Sequence, residues 1–341
     1  MYIIRSRAPC RISFGGGGSD VPAYIQYKDG AVLSAAINIY AYATLKPLEN
    51  VIRLGSPLHS KSCEAKCAEE LVYDGSFDLA KATIKLLKPA GFFELSYFCE
   101  APSGSGLGTS SAETVAVIGA LKEFTGAKDL DEYGVAELAY RVEREELGQK
   151  GGYQDQYASA FGGFNFMEFR KNGVFVQPLR IKSDFIAELK ACSILCRIPG
   201  SRLSGEIHSR IDYKLRGFDP KLIESLDKLR EIAYEMRDAL VKGDIRSMAE
   251  MLDRSWQYKR RLDKEVATPL IDRIYNNARS RGALGGKLLG AGGSGHMFLI
   301  CDFRKKFDVV KGLEEDGCKV VNYDFESEGL KVWRVKEMGQ L

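Results

Sequence analysis

The feature that most constrains this chain is a run of small residues, Ser103-Gly104-Ser105-Gly106-Leu107-Gly108-Thr109-Ser110-Ser111. Before it lies a β-like stretch, residues 94–99. After it, from Ser110 to Phe124, Val117, Leu121 and Phe124 recur at i, i+4 and i+7, which predicts an amphipathic helix. A strand that passes through glycines into a helix brings backbone N–H groups together at a helix N-terminus, a favourable place for an anion. An ordinary helix cap would also place Ser or Thr there. Three alternating glycines followed by three hydroxyls exceed what a cap requires, so residues 103–111 are expected to cradle phosphate. The run is not a Walker loop, because no Lys follows Gly108.

Two further glycine clusters stand out. Gly15-Gly16-Gly17-Gly18-Ser19-Asp20 follows Ala8-Pro9-Cys10-Arg11. Gly290-Ala291-Gly292-Gly293-Ser294-Gly295 formally matches G-x-G-x-x-G, but β-like residues His296 to Cys301 follow it, whereas a dinucleotide fingerprint must open a helix. It reads as a tight turn between strands, and equally as a wall against a substrate or against the phosphate loop.

The 341 residues suggest about two domains. A net charge of +3 gives no support for nucleic-acid binding, which calls for a basic excess gathered into a patch. With 45% hydrophobic and 28% charged residues, the chain reads as globular. No apolar run reaches membrane-spanning length, and Met1-Tyr2-Ile3-Ile4-Arg5 does not read as a secretory signal. The eight cysteines are expected to be free thiols in a reducing, cytoplasmic setting.

Strands are expected at 2–5, 31–46, 51–55, 94–99, 163–169 and 173–178, with a hairpin turn at Lys171-Asn172-Gly173. Helices are expected at 77–88, 110–124 and, as one continuous piece, 131–147. The second half reads as a strand at 191–198, helices at 219–241, 244–263 and 268–281, a strand–turn–strand unit at 284–301, a helix at 304–316 and strands near 318–324 and 330–335. Both halves are α+β, divided as residues 1–185 and 186–341.

Among the acidic residues, Glu145 and Glu146 read as a solvated helix face. Glu143 is four residues from both Ala139 and Leu147, along an apolar flank, where a carboxylate is partly desolvated and seeks a cation. Asp155 lies in Gly151-Gly152-Tyr153-Gln154-Asp155-Gln156, ahead of a small, apolar stretch that suits a carboxylate held in a cleft.

Taken in order, these motifs resemble the GHMP kinase superfamily of small-molecule kinases. Ala8-Pro9-Cys10-Arg11 with Asp20 looks like its first motif. Gly104 to Ala112 looks like its second, the phosphate loop, and Lys287 to Gly295 its third. Residues 3–9, 16–21, 40–44 and 151–157 look like the branch that phosphorylates the anomeric hydroxyl of a heptose 7-phosphate. The resemblance implies a ribosomal-protein-S5-like N-terminal half joined to a ferredoxin-like C-terminal half. It also implies an ATP- and Mg²⁺-dependent sugar kinase, monomeric or homodimeric, that supplies nucleotide-activated heptose for surface polysaccharide.

By the same resemblance, Asp155 matches the catalytic base and Arg11 the arginine beside the reacting hydroxyl. Ser110 and Glu143 match the Mg²⁺ ligands, residues 103–111 the nucleotide-binding loop, and Asp20 the residue that binds sugar hydroxyls. Gly17, Gly18, Gly152, Gly292 and Gly293 are expected against the substrate. Galactokinases carry Glu-His where this chain has Gly17-Gly18; glycines open that pocket and remove repulsion of a substrate phosphate. Arg202, with Arg197 and Arg210, is expected to hold the sugar's own phosphate. The alternatives are a fucose- or galactose-type kinase and a non-catalytic sensor on the same fold.

Overall fold

A computed structural model describes residues 2–56, 59–127, 129–200 and 204–337. Its strands are β1 (Tyr2–Gly15), β2 (Gly30–Leu48), β3 (Ile52–Ser56), β4 (His59–Ala65), β5 (Phe92–Cys99), β6 (Phe164–Arg170), β7 (Gly173–Pro178), β8 (Ser193–Arg197), β9 (Ala283–Leu288), β10 (His296–Cys301), β11 (Lys319–Val321) and β12 (Lys331–Lys336). Its helices are α1 (Pro22–Ile25), α2 (Asp78–Leu87), α3 (Thr109–Thr125), α4 (Glu132–Tyr140), α5 (Gln154–Phe161), α6 (Ser183–Cys192), α7 (Ser204–Arg216), α8 (Pro220–Lys242), α9 (Ile245–Lys259), α10 (Pro269–Ser280) and α11 (Lys306–Glu315).

Two sheets organise the chain. The first runs β12-β1-β2-β5-β3-β4, with β6 also paired to β2 and β7 to β6; the second runs β11-β8-β10-β9. Residue 185 falls inside α6, and β12 returns from the far end of the chain to pair antiparallel with β1. The sheets therefore do not divide the chain into two consecutive blocks.

The β1–β2 ladder slips between Pro9 and Cys10: Pro9 faces Tyr40, whereas Cys10 faces Ile37. Proline has no N–H to give to a ladder, and such irregularities re-aim the side chains that follow. The slip lies two residues before Arg11. Helix α3 packs across β1 and β2 and is buried on nearly every face, from Ser111 through Leu121. An element buried on all sides forms a rigid base for the loop that precedes it.

Several elements differ from the sequence reading. The continuous helix expected at 131–147 is α4 followed by a π-helical turn, Arg141–Glu146. The strand expected at 191–198 begins at Ser193, because Ala191 and Cys192 close α6; Phe185, Ile186, Leu189 and Cys192 follow a helical period that the strand assignment cut through. Helices α5 and α7 carry residues of the site and were not expected.

Candidate active site

The glycine-rich loop of residues 103–108 enters α3 through Gly108, which takes φ +77°, a left-handed conformation open to glycine at little cost. No side chain caps α3. The Ser110 and Ser111 hydroxyls point away from the helix end. Ser110 Oγ donates to Glu143 Oε1 at 2.5 Å, and Ser111 Oγ donates to Glu143 Oε2 at 2.7 Å. Gln156 Nε2 also donates to Glu143 Oε2. Glu143 is fully buried, carried there by the π-helical turn. Its flank position was legible from the sequence, and the family resemblance paired it with Ser110; its contacts with Ser111 and Gln156 were not expected.

The loop is pinned from below. Ser105 and Leu107 are buried and do not line the cavity; they fix the loop through their backbones. The Ser105 carbonyl accepts from His296 Nδ1 at 2.7 Å, and the Leu107 carbonyl accepts from the Arg11 N–H at 2.9 Å. The third glycine cluster packs directly against this loop. A β-carbon at Gly290 would lie 2.5 Å from Gly106 Cα, and one at Gly295 would lie 2.7 Å from the Ser105 carbonyl oxygen. The β9–β10 turn thus packs as a wall against this glycine-rich loop.

Arg11 and Asp155 meet at the mouth of α3. Arg11 Nε donates to Asp155 Oδ1 at 2.8 Å, Nη2 lies 2.6 Å from the same oxygen, and Nη1 donates to the Gly106 carbonyl at 2.6 Å. A β-carbon at Gly108 would lie 3.3 Å from Asp155 Cγ and 3.4 Å from Oδ2, so the carboxylate and the start of α3 share one space.

Asp20 lies on the other side of the cavity, fully buried. It accepts from the Gly18 N–H at 2.9 Å, the Gln154 N–H at 3.1 Å and Gln154 Nε2 at 3.3 Å. Burial raises its carboxyl above the ordinary value, and these backbone donors oppose that shift. Gly152 packs tightly here; a β-carbon on it would lie 2.0 Å from Asp20 Oδ2.

These groups line one cavity of about 420 Å³, a size suited to a small-molecule site. Gly17, Gly18, Ser103, Gly104, Thr109 and Gly292 line it as well. Gly293 does not line it; its N–H donates to the Val266 carbonyl. Arg202 lies outside the described residues. Arg210 is consumed by ion pairs to Asp263 at 3.1 Å and Glu265 at 2.6 Å, which corrects its expected place in an open phosphate pocket. Arg197, at the end of β8, is exposed.

The sequence reading gave no site role to Arg144, Lys150, His208 or Lys259, and named Lys287 only as the start of the third motif; all five line the cavity. With Arg11, the cavity lining holds five Arg and Lys side chains against the carboxylates Asp20, Glu143 and Asp155. A nearly neutral chain therefore gathers five basic side chains around one cavity, donors suited to anionic ligands. Burial, with Arg144 nearby, lowers the His208 imidazole to about 4, so it is neutral at physiological pH. One missed residue carried a signal: Lys259 continues the stripe Met248, Leu252, Ser255 and Trp256 along the buried face of α9.

Comparison with known proteins shows the family of the chain. A family model described as GHMP kinases N terminal domain matches residues 78–163, and one described as GHMP kinases C terminal matches residues 236–317. The chain is 38% identical to the D-glycero-alpha-D-manno-heptose 7-phosphate kinase of Campylobacter jejuni, with 98% of this chain and all of that protein covered. Its fold matches a D-glycero-D-manno-heptose 1-phosphate kinase from Bacteroides thetaiotaomicron at 31% identity and TM-score 0.80, covering 98% of this chain and 100% of that one. The galactokinase of Lactococcus lactis shares the fold at 19% identity and TM-score 0.80, over 96% of this chain and 95% of that one.

Proposed function

The chain belongs to the GHMP kinase family, and from that premise we propose that it transfers a phosphoryl group from ATP to the anomeric hydroxyl of D-glycero-D-manno-heptose 7-phosphate. The observation that carries this reading is the meeting of Arg11, Asp155 and the Gly108 end of the phosphate loop in one cavity. The similarity to a heptose 7-phosphate kinase supports the sugar, and Gly17 and Gly18 line the cavity without a side chain of their own.

In this mechanism the backbone N–H groups of residues 104–110 hold the nucleotide phosphates at the start of α3. Asp20 and the Gly18 edge orient the sugar. Asp155 accepts the proton of the attacking hydroxyl on Oδ2, while Arg11 holds Oδ1 and steadies charge on the transferring group. Phosphoryl transfer depends chiefly on such positioning and charge stabilisation.

Ser110 and Glu143 fit a Mg²⁺ ion in their chemistry, since both present oxygen donors to one point beside the loop. Bound there, the ion would neutralise charge on the nucleotide phosphates. A coupled ADP-release assay across heptose 7-phosphate, L-fucose, galactose and mevalonate tests the proposal. Turnover is expected to be fastest with heptose 7-phosphate; faster turnover of an unphosphorylated sugar would overturn the substrate assignment.

A further inference from the structure

We propose that the side-chain amines of Lys259 and Lys287 form a phosphate-binding site in the floor of this cavity; the site rests on the kinase reading above and extends it to two residues from the second half of the chain. Lys259 closes α9 and Lys287 lies in β9, and both are buried, at 7% and 3% exposure. Lys259 Nζ donates to the carbonyls of Leu288 at 2.6 Å and Gly290 at 2.5 Å. Lys287 Nζ donates to the Phe14 carbonyl at 3.1 Å. An ammonium carries three donors, so one on Lys259 and two on Lys287 remain. Among the described residues, no carboxylate lies within ion-pair distance of either amine.

Lysine is almost never fully buried without a partner, because an unpaired charge away from water is expensive. Here two such amines share one cavity, where burial favours their neutral form and an anionic ligand would supply the counter-charge that keeps them protonated. Their position selects its chemistry. The Gly290 carbonyl that holds Lys259 belongs to the residue packed on Gly106, and Arg11 donates to the Gly106 carbonyl. The amines therefore lie beneath the phosphate loop, on the side toward Asp20. An anion with several acceptor oxygens and a double charge meets the three spare donors. Both the terminal phosphate of the nucleotide and the sugar's own phosphate have that chemistry.

The charged neighbours explain how the site responds to a ligand. Burial, then Arg11 on β1, lowers Lys287 to about 7, with Asp20 after β1 opposing the shift. Burial, then Lys287 and Arg11, lowers Lys259 well below its ordinary value. Across the cavity stand Asp155 on α5, bound to Arg11, and His208 on α7 with Arg144 beside it. Without an anion beside them both amines lose protons more readily than an ordinary lysine, Lys287 at about 7; a bound phosphate dianion opposes that loss.

Calorimetry on the wild-type protein at pH 8, where a phosphate monoester is already dianionic, tests this without any variant. Heptose 7-phosphate, and separately a non-hydrolysable ATP analogue with Mg²⁺, are titrated in two buffers of different ionisation enthalpy. Net proton uptake is expected with one of them, and the arm that shows it identifies the phosphate held. Lys287→Met and Lys259→Met are expected to weaken binding of that ligand about tenfold or more, the scale of a lost charge-assisted hydrogen bond, and to reduce the uptake. Unphosphorylated heptose is expected to bind the variants as it binds the wild type. Absence of proton uptake in both arms, or unchanged affinities in folded variants, would overturn the site. The kinase reading fails separately, if wild-type protein releases no ADP with heptose 7-phosphate.

Discussion

Two nitrogens of Arg11 converge on one oxygen of Asp155, Oδ1, at 2.8 and 2.6 Å, and among the described residues nothing donates to Oδ2. The pair is largely withdrawn from water, at 4% side-chain exposure for Arg11 and 21% for Asp155. Arg11 also ties the carboxylate to the phosphate loop through the Gly106 carbonyl. The arrangement fixes the carboxylate in place and leaves one oxygen open toward the cavity.

Asp155→Asn keeps the shape of this group and removes its capacity to take a proton. We expect kcat to fall by about 10²- to 10⁴-fold, the usual contribution of a general base, with little change in KM for ATP. Steady-state kinetics with both substrates varied checks this; near-normal turnover would remove Asp155 from the role of base.

Glu143 accepts from Ser110, Ser111 and Gln156 at once, so its position is tightly set. Glu143→Gln keeps the size but loses the charge that would face a hard cation. The Mg²⁺ concentration for half-maximal activity is expected to rise about tenfold or more. Chelator treatment followed by Mg²⁺ titration of both proteins measures the shift.

Gly290 holds φ +64° and packs on Gly106 Cα, where a β-carbon would lie 2.5 Å away. Gly290→Ala must therefore strain its own backbone or push the phosphate loop aside. A cost of about 1–3 kcal/mol is expected. It should appear as a lower melting temperature, a raised KM for ATP, or both, in thermal unfolding and kinetics.

Glu113, on α3, is pushed up to about 7 by burial and then by Glu143. Between its ordinary value near 4.5 and 7, the folded protein binds more protons at this site than the unfolded chain. Its contribution to stability is present in full below 4.5 and is lost as pH rises through 7. Glu113→Gln cannot ionise, so the variant should gain on the wild type as pH increases. Melting temperatures of both proteins at pH 5 and pH 8 check the sign.

The strand–glycine–helix passage at residues 103–111 was legible because its demand is local. A strand, a left-handed glycine and a helix start must follow one another in the chain, and residues 103–111 state that order directly. The buried flank of Glu143 was legible from its spacing to Ala139, although the π-helical turn that carries it was not. Lys259 was visible only as a lysine on an apolar stripe, and nothing nearby in sequence says which cavity it faces. Arg210 was misread because its partners, Asp263 and Glu265, lie more than fifty residues away.

What the sequence alone determined is the set of backbone conformations at the glycines and the order of strands and helices around them, because those depend on sterics and periodicity within a few residues. What only the tertiary structure decided is which charges meet. Arg11 reaches Asp155 across 144 residues because α5 packs beneath β1, and β9 brings Lys287 to the Phe14 carbonyl across 273. Electrostatic partnership depends on distance in space and on exclusion of water, and neither is set until the sheets and helices have packed.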